Sequence, residues 1–185
     1  MKNMNIVKVA GALGAEVHGV DLRQPLSTDL AGEIRQALLE NLVIFFRDQD
    51  LSPAQFMQFA QAMGQPVEYP FVKGLDGYPQ IIEVKKLEHE RTNFGGVWHS
   101  DTTYLQEPPM GSMLLAREIP PYGGDTLFAN QYMAWDTLSD TLKQMLRPLK
   151  GISTSAKADV SKTREDRLKT DAKSGAPTLL QAVHP

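Results

Sequence analysis

Val97-Trp98-His99-Ser100-Asp101-Thr102-Thr103-Tyr104 is the stretch on which the reading of this chain turns. Its β-branched and aromatic residues read as a strand. In a strand, residues i and i+2 project to the same face. His99 and Asp101 then place an imidazole nitrogen beside a carboxylate oxygen, as a divalent first-row metal requires. The spacing alone also admits a plainer reading, a surface histidine beside a turn aspartate.

Working outward, Gly123-Gly124 marks a tight turn. Ser112–Ala116 and Thr126–Ala129 read as further strands, and Gln131–Leu149 as one helix with Met133, Leu138, Leu142, Met145 and Leu146 at apolar positions. Towards the N-terminus, Ile6–Val9 and Ala15–Val20 alternate apolar and polar residues around Gly11 and Gly14 and read as two strands joined by a turn. His18 is there a half-exposed strand histidine. Ser27-Thr28 opens a helix with Ala31, Ile34, Leu38 and Leu39 as its inner face. Leu42–Phe46 is an apolar run of strand length, read as buried. Ser52-Pro53 starts a second helix, with proline at the first helical position and Phe56, Phe59, Ala60 and Met63 as core. Gly64–Gly77 is turn-rich, and Ile81–Val84 reads as a strand. Lys85–Asn93 is a charged exposed loop, and its His89 reads as a solvated histidine. Gly151–Ser155 and the final Leu179–Val183 read as strands. Between them, residues 156–178 carry six Lys/Arg and four Asp/Glu with little that is apolar, and read as a flexible surface loop or lid.

Three blocks of this chain resemble one family. They are Gly14-Ala15-Glu16-Val17-His18-Gly19-Val20-Asp21-Leu22, then Leu42–Gln49 with Leu51-Ser52-Pro53, then Val97–Tyr104 with Glu107-Pro108-Pro109 and Gly123–Phe128. The family is that of taurine dioxygenase and 2,4-dichlorophenoxyacetate dioxygenase, which are Fe(II)- and 2-oxoglutarate-dependent oxygenases. The resemblance runs, in order, over most of residues 5–150. Two histidines and one carboxylate, with open positions opposite, form the ligand set of such non-haem iron sites.

The resemblance implies a mainly β protein with flanking helices, an α+β chain built on a double-stranded β-helix or jelly roll. It implies His99 and Asp101 as the catalytic Fe(II) ligands and Thr126 as a hydroxyl that binds a carboxylate of 2-oxoglutarate. Without it, Thr126 is an ordinary β-branched strand residue. It further implies O₂ as co-reactant, succinate and CO₂ as products, and hydroxylation of a small acidic organic substrate. Tyr69, Thr102 and Tyr104 are expected to line the substrate pocket. Trp98 and Leu127 either limit water access or are plain core. Tyr69 stands where taurine dioxygenases place a sulfonate-binding histidine. Asn93 is out of register with their substrate-binding asparagine, and Gly95 falls nearer that place. Taurine itself is therefore expected to be a poor substrate.

Composition agrees with a soluble globular protein, and the resemblance implies that residues 1–185 are the N-terminal part of a single dioxygenase-like domain. The 185 residues suffice for one core, hydrophobic residues make up 42% and charged residues 22%, and the net charge is −3. No basic stripe is present, so nucleic acid is not an expected partner. No apolar run approaches the ~20 residues of a membrane span, so no membrane association is expected, and cytoplasmic localisation is the default. Cysteine is absent, which excludes disulfides and thiolate metal sites. A homo-oligomer is left open.

The family's distal histidine and its 2-oxoglutarate-binding arginine find no counterpart here. His184 falls in a segment that precedes the distal histidine and is not a ligand there. The expectation is a jelly roll incomplete at the C-terminus, whose natural product continues past Pro185. The alternative is a truncated, inactive jelly roll that acts, if at all, by binding.

Overall fold

The computed structural model describes residues 4–88, 95–157 and 179–184. His89 and Asn93 lie outside the described residues, as does nearly all of the 156–178 loop. The chain divides into two compact units: Met1–Gln65 with Leu114–Leu146, and Pro66–Met113 with Arg147–Pro185.

In the first unit, β1 (Asn5–Lys8) pairs antiparallel with β2 (Ala15–His18), Ile6 opposite Val17 and Val7 opposite Glu16. Gly14, at φ +97°, makes the turn into β2, and its amide donates to the Asn41 carbonyl at 2.8 Å. α1 (Thr28–Asn41) then crosses over, and β3 (Ile44–Phe45) returns parallel to β2. Parallel neighbours need such a crossover, because a tight turn only reverses the chain. His18 is half-exposed and lies 3.2 Å from Glu16, which also pairs with Arg47 at 2.8 Å.

The helix starts follow local chemistry. The Ser27 hydroxyl accepts from the Leu30 amide at 3.2 Å. α2 (Pro53–Met63) opens with a capping box in which the Ser52 hydroxyl accepts from the Gln55 amide and the Gln55 side chain accepts from the Ser52 amide. Ser52→Ala should lower stability by ~1 kcal/mol, read as an earlier midpoint in urea unfolding.

The core of this unit is Leu22, Ile34, Leu51 and Phe59, flanked by Val20, Leu30, Ile44, Phe46, Phe56, Met63 and Leu115. Phe46 meets Phe59 edge-on at 5.7 Å. The inner face of α1 is Ile34, Ala37 and Asn41, so Leu39, expected inside, faces solvent at 57% exposure. Ile34, Ala37 and Asn41 are spaced by three and four residues, and Leu39 lies off that stripe. The Asn41 amide group donates to the Ala37 carbonyl at 2.9 Å, which satisfies it in the core.

Several expected elements differ. The helix expected over Gln131–Leu149 is two helices, α3 (Gln131–Asp136) and α4 (Asp140–Leu146). Hydroxyls break it: Thr137 Oγ1 donates to the Met133 carbonyl at 2.9 Å, and Ser139 Oγ accepts from the Leu142 amide at 3.3 Å. Met133, Leu142, Met145 and Leu146 are exposed rather than core. Ile81–Val84, Val97–Tyr104, Ser112–Ala116 and Thr126–Ala129 are not strands. Strand-type side chains make a strand only where a neighbouring backbone completes the ladder, and these segments have none among the described residues. The described chain is thus mixed helix and sheet, not mainly β.

In the second unit, β4 (Gly151–Thr154) pairs antiparallel with β5 (Gln181–His184), Gly151 opposite His184. His184 Nε2 bonds the Thr103 carbonyl at 2.7 Å, tying β5 to the turn that follows Asp101. Phe71, Val72, Tyr104 and Ala182 are the buried apolar residues here.

Candidate metal centre

His99 and Asp101 converge through a turn, not across a strand face. Asp101–Tyr104 is a turn, and Thr102 sits at φ +50°, in the left-handed region. A β-branched residue seldom adopts that conformation, which costs of order 1–3 kcal/mol and stops the chain from continuing as a strand. The Leu105 amide closes the turn on the Thr102 carbonyl at 2.9 Å. Four residues before His99, Gly95 has φ +69°, and a Cβ there would lie 3.1 Å from His99 Cε1. A side chain at this position would sit tightly against the His99 ring and in a strained backbone conformation.

The His99 ring is oriented by its own backbone. Nδ1 lies 2.7 Å from the Val97 carbonyl, which can only accept, so Nδ1 carries a proton. Nε2 faces Asp101 Oδ1 at 3.1 Å. Two ligands on adjacent corners of an octahedral metal at about 2.1 Å stand about 3.0 Å apart, so the pair has the bite of two such ligands. An imidazolium–carboxylate ion pair gives the same separation; metal binding separates the two. Both side chains are about half exposed. No group of three His, Cys, Asp or Glu side chains that could hold a metal forms among the described residues.

Asp101 has a further partner. Ser112 Oγ donates to Oδ2 at 2.6 Å, leaving Oδ1 toward His99. Sequence reading missed this contact, since Ser112 lies eleven residues downstream in a stretch read as strand and no local pattern marks it.

Tyr69, Phe71 and Tyr104 form an aromatic cluster in the same unit. Tyr69 and Phe71 meet edge-on at 5.8 Å, and Phe71 and Tyr104 lie 5.7 Å apart. Burial holds the Tyr104 hydroxyl protonated beyond the usual phenol range, and a hydrogen bond with Tyr69 and the nearby Asp101 charge act in the same direction. Tyr104 is therefore a neutral phenol at physiological pH. Thr126 belongs to the first unit and is exposed in an irregular stretch. Gly123 and Gly124 have φ values of +78° and +73°, but the bend falls just before them at Pro121-Tyr122, so the tight turn expected at the glycines does not form. Trp98 and Leu127 are each 70% exposed, so neither is core.

The taurine catabolism dioxygenase TauD, TfdA family matches residues 5–183. An alkylsulfatase of Acinetobacter baylyi is 32% identical over 191 residues, covering 100% of this chain and 58% of its own length. An alpha-ketoglutarate-dependent sulfate ester dioxygenase of Pseudomonas putida is 30% identical over 187 residues, covering 98% of this chain and 61% of its own. The crystal structure of a taurine dioxygenase from Burkholderia xenovorans superposes with a TM-score of 0.71 at 34% identity, over 80% of this chain and 53% of that one. The chain thus spans about three-fifths of the length of the curated relatives it matches. Matched over nearly its whole length, the chain belongs to the taurine catabolism dioxygenase TauD, TfdA family.

Proposed function

We propose that the protein is an Fe(II)- and 2-oxoglutarate-dependent dioxygenase that hydroxylates a small acidic organic substrate, with a sulfate ester as the first choice. The observation that carries this reading is the 3.1 Å approach of His99 Nε2 to Asp101 Oδ1, with Nδ1 already committed to the Val97 carbonyl. Family membership and the sulfate-ester relatives support the cosubstrate and the substrate class. We read residues 1–185 as part of a single dioxygenase-like domain.

In this reading His99 and Asp101 hold the metal. The iron, when bound, supplies the activation of O₂ that couples oxidative decarboxylation of 2-oxoglutarate to insertion of one oxygen atom into a substrate C–H bond. Atoms balance with succinate and CO₂ as coproducts, the second oxygen atom entering succinate. The chain's own residues position and bind. The Val97 carbonyl keeps the His99 proton on Nδ1 and so the Nε2 lone pair outward. Tyr104 remains a neutral hydrogen-bonding group and an apolar wall beside Asp101, and with Tyr69 and Phe71 suits the organic part of the substrate.

Thr126 supplies a hydroxyl to a 2-oxoglutarate carboxylate. Thr126→Val conserves shape and removes that donor. Loss of one hydrogen bond to a charged group costs ~1.5–3 kcal/mol, so the Kd for 2-oxoglutarate should rise about 10- to 100-fold. Unchanged affinity refutes the role.

The function is tested by offering the full-length protein Fe(II), 2-oxoglutarate and O₂ with a panel of alkyl sulfates, sulfonates, and aryloxy- and carboxy-acids. Succinate should form fastest with an alkyl sulfate and slowly with taurine. Efficient turnover of taurine contradicts the substrate assignment, and no substrate-dependent succinate with any acid contradicts the reaction class.

A further inference from the structure

We infer that Ser112 is a positioning residue that holds Asp101 as a one-oxygen ligand. The inference rests on the reading of His99 and Asp101 as metal ligands and adds a residue to it.

Ser112 Oγ lies 2.6 Å from Asp101 Oδ2, and Asp101 Oδ1 lies 3.1 Å from His99 Nε2. The first distance is that of a charge-assisted O–H···O⁻ bond. The two carboxylate oxygens thus have separate tasks. Oδ2 accepts the serine hydroxyl's hydrogen bond, and Oδ1 stands 3.1 Å from His99 Nε2. A carboxylate free at both oxygens can swing to chelate a cation with both, as carboxylates do around calcium. Such chelation would fill a second coordination position, and chemistry at an open metal site needs its positions vacant. With Oδ2 engaged by Ser112, Asp101 would offer a bound metal one oxygen. The bond also fixes the carboxylate plane, as hydrogen-bond partners of metal-ligating carboxylates commonly do.

The Asp101 side chain is 56% exposed, so the bond has little weight in holding the fold. Its consequence should therefore appear in metal affinity and not in thermal stability. Ser112 lies eleven residues downstream of Asp101 in the chain.

The test measures Mn(II) affinity of the full-length protein by electron paramagnetic resonance titration, with Mn(II) alone as probe. Ser112→Ala should weaken Mn(II) binding about 10- to 100-fold, the range for loss of a ligand's hydrogen-bond partner. Its melting temperature should match the parent's. Ser112→Thr keeps the hydroxyl and should restore affinity. In an Asp101→Ala background, Ser112→Ala should have no further effect. Parental affinity in Ser112→Ala, no recovery in Ser112→Thr, or weakening that persists without Asp101 overturns the role of Ser112. The two failures are distinguishable. If Asp101→Ala itself leaves Mn(II) binding intact, the ligand reading falls and takes this inference with it. If Asp101 matters and Ser112 does not, only this inference falls.

Discussion

Asp101→Ala should abolish succinate formation by the full-length protein while leaving it folded. The carboxylate is the anionic member of the pair, and its Oδ1 is the oxygen that faces His99 Nε2 at 3.1 Å. Losing a ligand should cost more than the ~100-fold at the top of the range for losing a ligand's hydrogen-bond partner. The side chain is 56% exposed, and its partners are His99 and Ser112, themselves exposed. Exposed substitutions away from caps and cores usually shift stability by about 0.5 kcal/mol or less. Circular dichroism melts should therefore coincide with the parent's while the coupled succinate assay reads background. Activity retained at a tenth or more of the parental rate contradicts the ligand role.

The largest stability effect should come from Phe59→Ala. Phe59 is 8% exposed, packs in one cluster with Leu22, Ile34 and Leu51, and meets Phe46 edge-on. Truncating a buried phenylalanine loses its transfer free energy and leaves a cavity, costing ~3–5 kcal/mol. Total stability for a domain is only ~5–15 kcal/mol, so the urea midpoint should fall by a large fraction. Leu39→Ala serves as the contrast. Leu39 is also apolar and on a helix, but it is 57% exposed, and its loss should change stability by about 0.5 kcal/mol or less. Equal losses at the two positions would contradict the placement of the core.

What was legible in the sequence was local. Ser27 and Ser52 announce helix starts because the cap needs only a hydroxyl and the next few amides. Gly14 announces the turn between β1 and β2 because glycine takes positive φ without penalty. The strands were less legible. Ile6–Val9 and Ala15–Val20 formed a hairpin because the partner lies a short turn away, whereas Thr126–Ala129 has strand-type residues and no ladder. The break at Thr137–Ser139 was hidden by apolar periodicity that continued across it.

The candidate site divides the same way. The His99–Asp101 juxtaposition was read from spacing, yet the device that achieves it differs. Thr102, β-branched and therefore read as strand, takes a left-handed conformation and turns the chain. Ser112 and His184 reach the site region only through tertiary contacts, to Asp101 and to the Thr103 carbonyl, and no short-range pattern encodes those.

The central claim is that His99 Nε2 and Asp101 Oδ1 are ligands of one divalent metal and not an ion pair. The most direct test is a crystal structure of the full-length protein soaked in Mn(II), with data collected for anomalous scattering. An anomalous peak is expected at about 2.0–2.3 Å from both atoms, with Asp101 Oδ2 still bonded to Ser112 Oγ. A map with no peak there, and with His99 Nε2 still hydrogen-bonded directly to Asp101 Oδ1, would contradict it.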